Sequence, residues 1–205
     1  MSTSNPSKTL REVVGLNDTA PRLDQSALIM IDFQNTYRSG VMALEGAEEA
    51  VAAGGRLLAR ARAAGIPVVH IVNDGGENTP YDIRARIGSI SDELAPADGE
   101  PVVVKGLPNA FYETGLEKTL HDLGVAAGAD LVLAGFMTHM CVTFTAQGAF
   151  NLGYRPTVVA EATATRSLAA PGGEALSAAT LQAAALATVT DLFGLVVPTV
   201  DDLRD

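Results

Sequence analysis

The chain has no tryptophan, and aromatic residues make up only 5% of its 205 positions, so a site built from stacked rings is not expected. It has a single cysteine, Cys141, which cannot close an internal disulfide; the compartment this favours is the cytoplasm. Cations are scarce too, with 14 Lys and Arg against 24 Asp and Glu and a formal net charge of −10. A surface of that sign has no grip on a phosphate backbone, which excludes nucleic acid as a partner. By long-range steering it weakly favours neutral or cationic ligands over anions. Long apolar runs are also missing. The longest, residues 125–137, is interrupted by Asp130 and too short to cross a bilayer, so no membrane partner is expected. Residues 1–24 are mostly polar, with no apolar segment of leader length.

What the chain does have is enough apolar residue for a core. At 47% hydrophobic it lies inside the globular range, which excludes intrinsic disorder. The length fits one domain of ordinary size. Residues 1–24 are expected to form an arm, and residues 25–205 a single domain.

Beyond the arm, strand-like and helix-like stretches alternate. Ser26 to Ile31 is a continuous apolar run ending at Asp32, the pattern of a strand buried on both faces. Glu45 to Ala64 carries Ala47, Ala50, Val51, Gly54, Leu58 and Ala61 at helical spacing and stops at Gly65. Further strands are expected at Val68–Val72, Pro101–Val104, Asp130–Ala134, Thr157–Ala160 and Leu192–Val197. Further helices are expected before Gly124, from Gly135 to Leu152 and from Glu174 to Thr188. In the irregular stretch 73–99, Ile83, Ile87, Ile90 and Leu94 predict one short amphipathic helix. Six strands alternating with helices imply an α/β fold, a three-layer αβα sandwich around a six-stranded, mostly parallel sheet.

Ligands of such sheets sit outside the carboxyl ends of the strands. Asp32 follows the first strand, Lys105 the third, and Cys141 the fourth. Singly, each has an ordinary explanation: a turn residue, a solvated surface charge, a buried inert thiol. Together they make a base, a cation and a nucleophile at one sheet edge. If Thr138 caps the following helix, Cys141 lies in its first turn, where the positive helix end and Lys105 would lower the thiol pKa. Asp32 would accept the thiol proton and return it. Backbone N–H groups there would hold the oxyanion formed on attack at a carbonyl.

Asp32-Phe-Gln34, Lys105 with Ala110-Phe111 behind it, and Gly135-Phe-Met-Thr-His-Met-Cys-Val142 resemble the isochorismatase-like cysteine hydrolases from about Ser26 to Val197. The resemblance implies the catalytic triad Asp32, Lys105 and Cys141. It also implies a cis peptide between Phe136 and Met137, and an oxyanion hole made by the N–H groups of Met137 and Cys141. Relatives that keep the cysteine are mostly amide hydrolases working through a thioester, so the expected activity is metal-independent cleavage of a small molecule's C–N bond. Nicotinamidases of this family bind a metal through histidines, but the matching region, residues 73–81, has none. No metal or other cofactor is therefore expected.

Phe33, Gln34, Phe111 and His139 are candidate substrate contacts, although packing explains the two aromatics and a turn explains Gln34 equally well. Family members usually assemble, so a homo-oligomer, dimer or tetramer, is expected. Two alternatives stay open. One is hydrolysis of an isochorismate-type vinyl ether with Cys141 incidental, and the other is a non-catalytic thiol protein serving redox or binding.

Overall fold

Ser26–Ile31 (β1) is buried along its whole length, so it needs cover on both faces and neighbours on both edges. A computed structural model, which describes residues 6–205, supplies both. The strands Val68–Asn73 (β2), Val102–Lys105 (β3), Asp130–Phe136 (β4) and Arg155–Ala164 (β5) join it. A last strand, Leu195–Val197, follows a two-stranded antiparallel ribbon, Leu168–Ala169 (β6) with Ala175–Leu176 (β7), and is therefore β8. The main sheet has the order β3-β2-β1-β4-β5-β8, and every pairing in it is parallel.

Alternate side chains of the central strands build two cores. Leu28, Met30, Val132 and Ala134 pack with Leu57, Leu58 and Ala61 of α2 (Ala47–Ala64) on one face. Ile29, Ile31, Leu131 and Leu133 pack on the other with Leu120 of α3 (Leu116–Asp122) and Ala146 of α4 (Thr143–Asn151). A long helix, α5 (Ala178–Thr188), continues on that second side, where Val189 joins the core. Each fully buried Leu or Ile contributes roughly 1.5–3 kcal/mol, so the layers hold by their apolar faces. The α/β sandwich with its six-stranded parallel sheet is the architecture the alternation predicts.

Helix α2 runs where expected and ends at Gly65, whose φ of 66° closes it with bonds to Ala61 and Arg62 carbonyls. The amphipathic helix expected over Ile83–Leu94 does not form. The Asp82 carboxylate instead accepts from the amides of Asn78 and Arg84, and the Arg84 guanidinium reaches both Asp82 and Asp74. Side-chain bonds of this kind compete with helical ones and fold the segment into a tight loop with two short 3₁₀ turns. The loop closes at Gly88, where a Cβ would sit 2.3 Å from the Asp82 carbonyl oxygen.

The first five residues of the expected arm lie outside the described residues. The rest packs on the chain itself. Thr9 caps the short helix Leu10–Val14 (α1), Arg11 donates to the Leu192 carbonyl, and Leu23 is completely buried. No described helix is long and apolar enough to cross a membrane.

Candidate active site

The sheet order reverses between β1 and β4, because the chain builds outward from β1 in one direction and then returns to its other side. Open α/β sheets bind ligands in the crevice at such a point. Asp32 and Cys141 stand on its two sides. Asp32 leaves β1 with a φ of 50°, a left-handed conformation Asp tolerates better than most residues, and its N–H donates to the Ile71 carbonyl of β2. Across the crevice, β4 comes so close that a Cβ on Gly135 would meet the Ile31 carbonyl oxygen at 1.8 Å. Only glycine fits there, and only glycine adopts its φ of 131° without strain.

After Gly135 the Phe136–Met137 peptide is cis, as the resemblance implies. Thr138–Val142 then forms a π-helical turn that leads into α4. The amides of Met140 and Val142, on either side of Cys141, both donate to the Met137 carbonyl. The expectation that Thr138 caps this helix is corrected. Its hydroxyl is fully buried without a partner, and Met137 precedes the turn with no side-chain cap.

Lys105 is the last residue of β3, two strands from β1, and lies opposite Asn73 in the β2 register. Its long stem brings Nζ to 2.7 Å from Asp32 Oδ2, 3.3 Å from Cys141 Sγ and 3.2 Å from Asn73 Oδ1. The structure thus brings together the three groups that the sequence places at three strand ends. All three are buried: Asp32 is 0% exposed, Lys105 2% and Cys141 6%. Taking an ion pair out of water costs several kcal/mol per ion, and buried pairs aimed at a nucleophile concentrate at functional sites.

Burial and charge set the protonation states. Burial pushes the Asp32 carboxyl above the usual carboxylate range, against the pull of Lys105. Burial draws Lys105 down, but the charge of Asp32 and the nearby thiol outweigh it and hold the ammonium above its ordinary value. The Cys141 thiol is pushed up to about 12 by burial and then by the Asp32 charge, with Lys105 opposing. The low thiol pKa expected from the helix end and Lys105 is therefore corrected. At neutral pH the resting group is a thiol, and a nucleophile arises only as its proton leaves.

The remaining sequence candidates do other work. Phe33 is 2% exposed and packs edge-on against Phe136, with its ring against Gly54. Gln34 is fully buried; its amide donates to the Asn73 and Gly88 carbonyls and accepts from the Asn73 N–H. That side chain ties the end of β1 to β2 and leaves no free group for a ligand. Phe111 stacks on Tyr154 at a centroid distance of 5.8 Å, facing the second core. His139 is half-buried with Nδ1 2.6 Å from Thr165 Oγ1, and burial pushes its pKa down, so it is neutral. His70 pairs with Glu100 inside the fold, and among the described residues no three His, Cys, Asp or Glu cluster as metal ligands.

Sequence reasoning missed Asn73 and Tyr37. Asn73 is the polar end of β2 just as Asp32 is of β1, a signal that was legible. Tyr37 is 1% exposed with its ring 5.8 Å from Tyr81, and burial raises its hydroxyl pKa, helped by the Asp32 charge.

Residues 26–199 match the model of the Isochorismatase domain. A crystal structure of an isochorismatase from Pseudomonas putida KT2440 superposes with a TM-score of 0.90 at 37% identity, covering 97% of this chain and 100% of that one. The secreted isochorismatase effector Isc1 of Verticillium dahliae is 32% identical over 194 residues, 94% of this chain and 98% of that protein. A streptothricin hydrolase of Streptomyces noursei is 34% identical over 144 residues, 70% of this chain and 51% of that protein. The buried Asp, Lys and Cys thus stand at the strand ends of a chain that belongs to the isochorismatase family of hydrolases.

Proposed function

We propose that the protein hydrolyses an amide or related C–N bond of a small molecule through a thioester on Cys141, without a metal. The observation that carries this reading is the buried contact of Lys105 Nζ with both Asp32 Oδ2 and Cys141 Sγ. Asp32 has no hydrogen-bond partner beyond that ion pair, which leaves the carboxylate free to take a proton. A carboxyl raised above its usual range is a better base at neutral pH than an ordinary one.

In the first half, Asp32 takes the Sγ proton as the sulfur bonds to the carbonyl carbon and the C=O electrons move to oxygen. The N–H groups of Met137 and Cys141 hold that oxyanion. As it collapses, the C–N bond breaks and Asp32 gives its proton to the leaving nitrogen. In the second half water attacks the thioester, Asp32 takes a water proton, and that proton returns to the sulfur as the acid leaves. Lys105 stays charged and offsets the negative charge carried in turn by Asp32, sulfur and oxyanion. The donor set supports the metal-independent form, since among the described residues no three His, Cys, Asp or Glu side chains cluster as metal ligands. Similarity to proteins named ureidoacrylate amidohydrolase and N-carbamoylsarcosine amidase supports C–N cleavage. Cytoplasmic location and assembly into a dimer or tetramer belong to the same proposal.

Cys141→Ala tests it. Turnover on a panel of small amides is expected to fall at least about 10⁴-fold, with the circular dichroism unchanged. A variant that still hydrolyses the amide would overturn the thioester, and one that is inactive on amides but cleaves an isochorismate-type vinyl ether would point to the vinyl ether reading, with Asp32 as acid. Labelling of Cys141 by alkylating reagents with no turnover in the wild type would leave a thiol protein.

A further inference from the structure

We propose that Asn73 is a positioning residue for the hydrolysis: its side-chain oxygen takes one of the three protons of the Lys105 ammonium and so turns the other two toward Asp32 and Cys141. The role rests on the cysteine-hydrolase reading above, whereas its effect on the sulfur has a readout that needs no turnover.

A lysine ammonium carries three N–H donors and accepts nothing. Three acceptors surround the buried Nζ of Lys105: Asp32 Oδ2 at 2.7 Å, Asn73 Oδ1 at 3.2 Å and Cys141 Sγ at 3.3 Å. One acceptor for each proton fixes the rotation of the ammonium about its C–N bond. The other two partners are unequal. The carboxylate is close and charged, whereas a thiol sulfur is a weak acceptor. Without Asn73 the head group turns to Asp32, and the contact to sulfur is the one that is lost.

The neutrality of Asn73 matters as much as its oxygen. The charges that reach Cys141 are Asp32 and Lys105, of opposite sign. The Tyr37 and Tyr81 hydroxyls are uncharged at neutral pH, since burial raises the pKa of both. A second carboxylate at position 73 would draw the ammonium to itself and hold the thiol proton on more firmly. An amide supplies the acceptor without the charge.

Asn73 is itself held in place. It ends β2, in register with Lys105 of β3. On its other side β1 has already stopped at Ile31, and Gln34 takes over there. The Gln34 side-chain oxygen accepts the Asn73 N–H at 2.9 Å, and its nitrogen donates to the Asn73 carbonyl at 3.0 Å. A side-chain amide has the donor and acceptor of one peptide unit, so Gln34 stands in for the missing next residue of β1. The same nitrogen donates to the Gly88 carbonyl, which pins the fully buried Gln34 in turn. On the β3 side the Asp74 N–H donates to the Lys105 carbonyl. Residue 73 is thus fixed from both edges, and its side chain starts at a set distance from Nζ.

Two variants test this. Asn73→Asp keeps the shape and the acceptor and adds charge; Asn73→Ala removes the acceptor. Iodoacetamide labelling of Cys141 against pH is measured beside kcat and KM on a turned-over amide, with circular dichroism as the check on folding. Labelling at neutral pH is expected to slow roughly threefold or more in both, as a raised thiol pKa changes the net rate by about three- to fourfold per unit. The kcat is expected to fall about tenfold or more, with KM within about threefold of wild type. A residue that only supports the loop would leave the labelling profile unmoved in the isosteric Asn73→Asp. Profiles equal to wild type, or slowed labelling with kcat unchanged, overturn the proposal and leave the hydrolase reading standing. Slowed labelling in a protein that turns over no amide supports the hold on Lys105 and removes the hydrolase reading. If Asn73→Ala does not fold, Asn73→Asp alone decides.

Discussion

Asp32→Asn makes Cys141 react faster with iodoacetamide at neutral pH while hydrolysis falls by about 10²–10⁴-fold, the usual worth of a general acid–base. The two effects have opposite signs because Asp32 has two influences on the sulfur. Its negative charge helps to hold the thiol near 12, and its carboxylate is the acceptor for the proton that must leave. An amide in its place keeps the shape, removes the charge and cannot accept the proton. Lys105, 3.3 Å from Sγ, is then left without its counter-charge and favours the thiolate. Each unit of lowered pKa gives ten times more thiolate, but a less basic sulfur is a weaker nucleophile, so labelling gains roughly three- to fourfold per unit. Stopped-flow labelling against pH, beside an amide assay, measures both. Alkylation that is unchanged or slower in the variant would mean Asp32 does not act on the sulfur.

Lys105→Met carries the second large effect, on stability as much as on rate. The methionine fills most of the space of the lysine stem and leaves the Asp32 carboxylate buried without its partner at 2.7 Å. Breaking a buried pair in this way costs about 3–5 kcal/mol. The pH dependence gives the cause. Asp32 already sits above its unfolded value because of burial, and losing the opposing Lys105 raises it further. A carboxyl raised in the folded state favours folding below its unfolded pKa, and that contribution is lost as pH rises through the folded pKa. The deficit against wild type should therefore be largest at neutral and alkaline pH and shrink in acid, where Asp32 is protonated in both. Thermal unfolding of the two proteins from pH 4 to pH 9 shows this directly; a deficit independent of pH would mean lost packing rather than a stranded charge. Hydrolysis falls by about 10²–10³-fold, the range for losing one electrostatic stabiliser of an oxyanion.

The central strands were legible because a strand covered on both faces must be apolar at every position, as Ser26–Ile31 is. Helix α2 was legible from small and apolar residues at helical spacing and from the glycine that stops it. The strand-end rule then pointed to Asp32, Lys105 and Cys141, since side chains at neighbouring carboxyl ends share one crevice. What was not legible depends on contacts distant in sequence. Ile83–Leu94 has helical spacing, but Asp82, Arg84 and Asp74 spend their side chains on loop backbone and on each other. Gln34 looked free for a ligand until β2 and Gly88 came close enough to use its amide. The thiol pKa was misread because helix end and lysine are visible in sequence while burial among three layers is not.

The account stands on an acyl group passing through the sulfur of Cys141. Acid-quenched mass spectrometry of the enzyme with a turned-over amide, with and without hydroxylamine, tests that step most directly. The expected result is the acyl mass on the peptide containing Cys141, and a hydroxamate product when hydroxylamine competes with water. An amide that is hydrolysed at full rate with neither acyl-enzyme nor hydroxamate would contradict it.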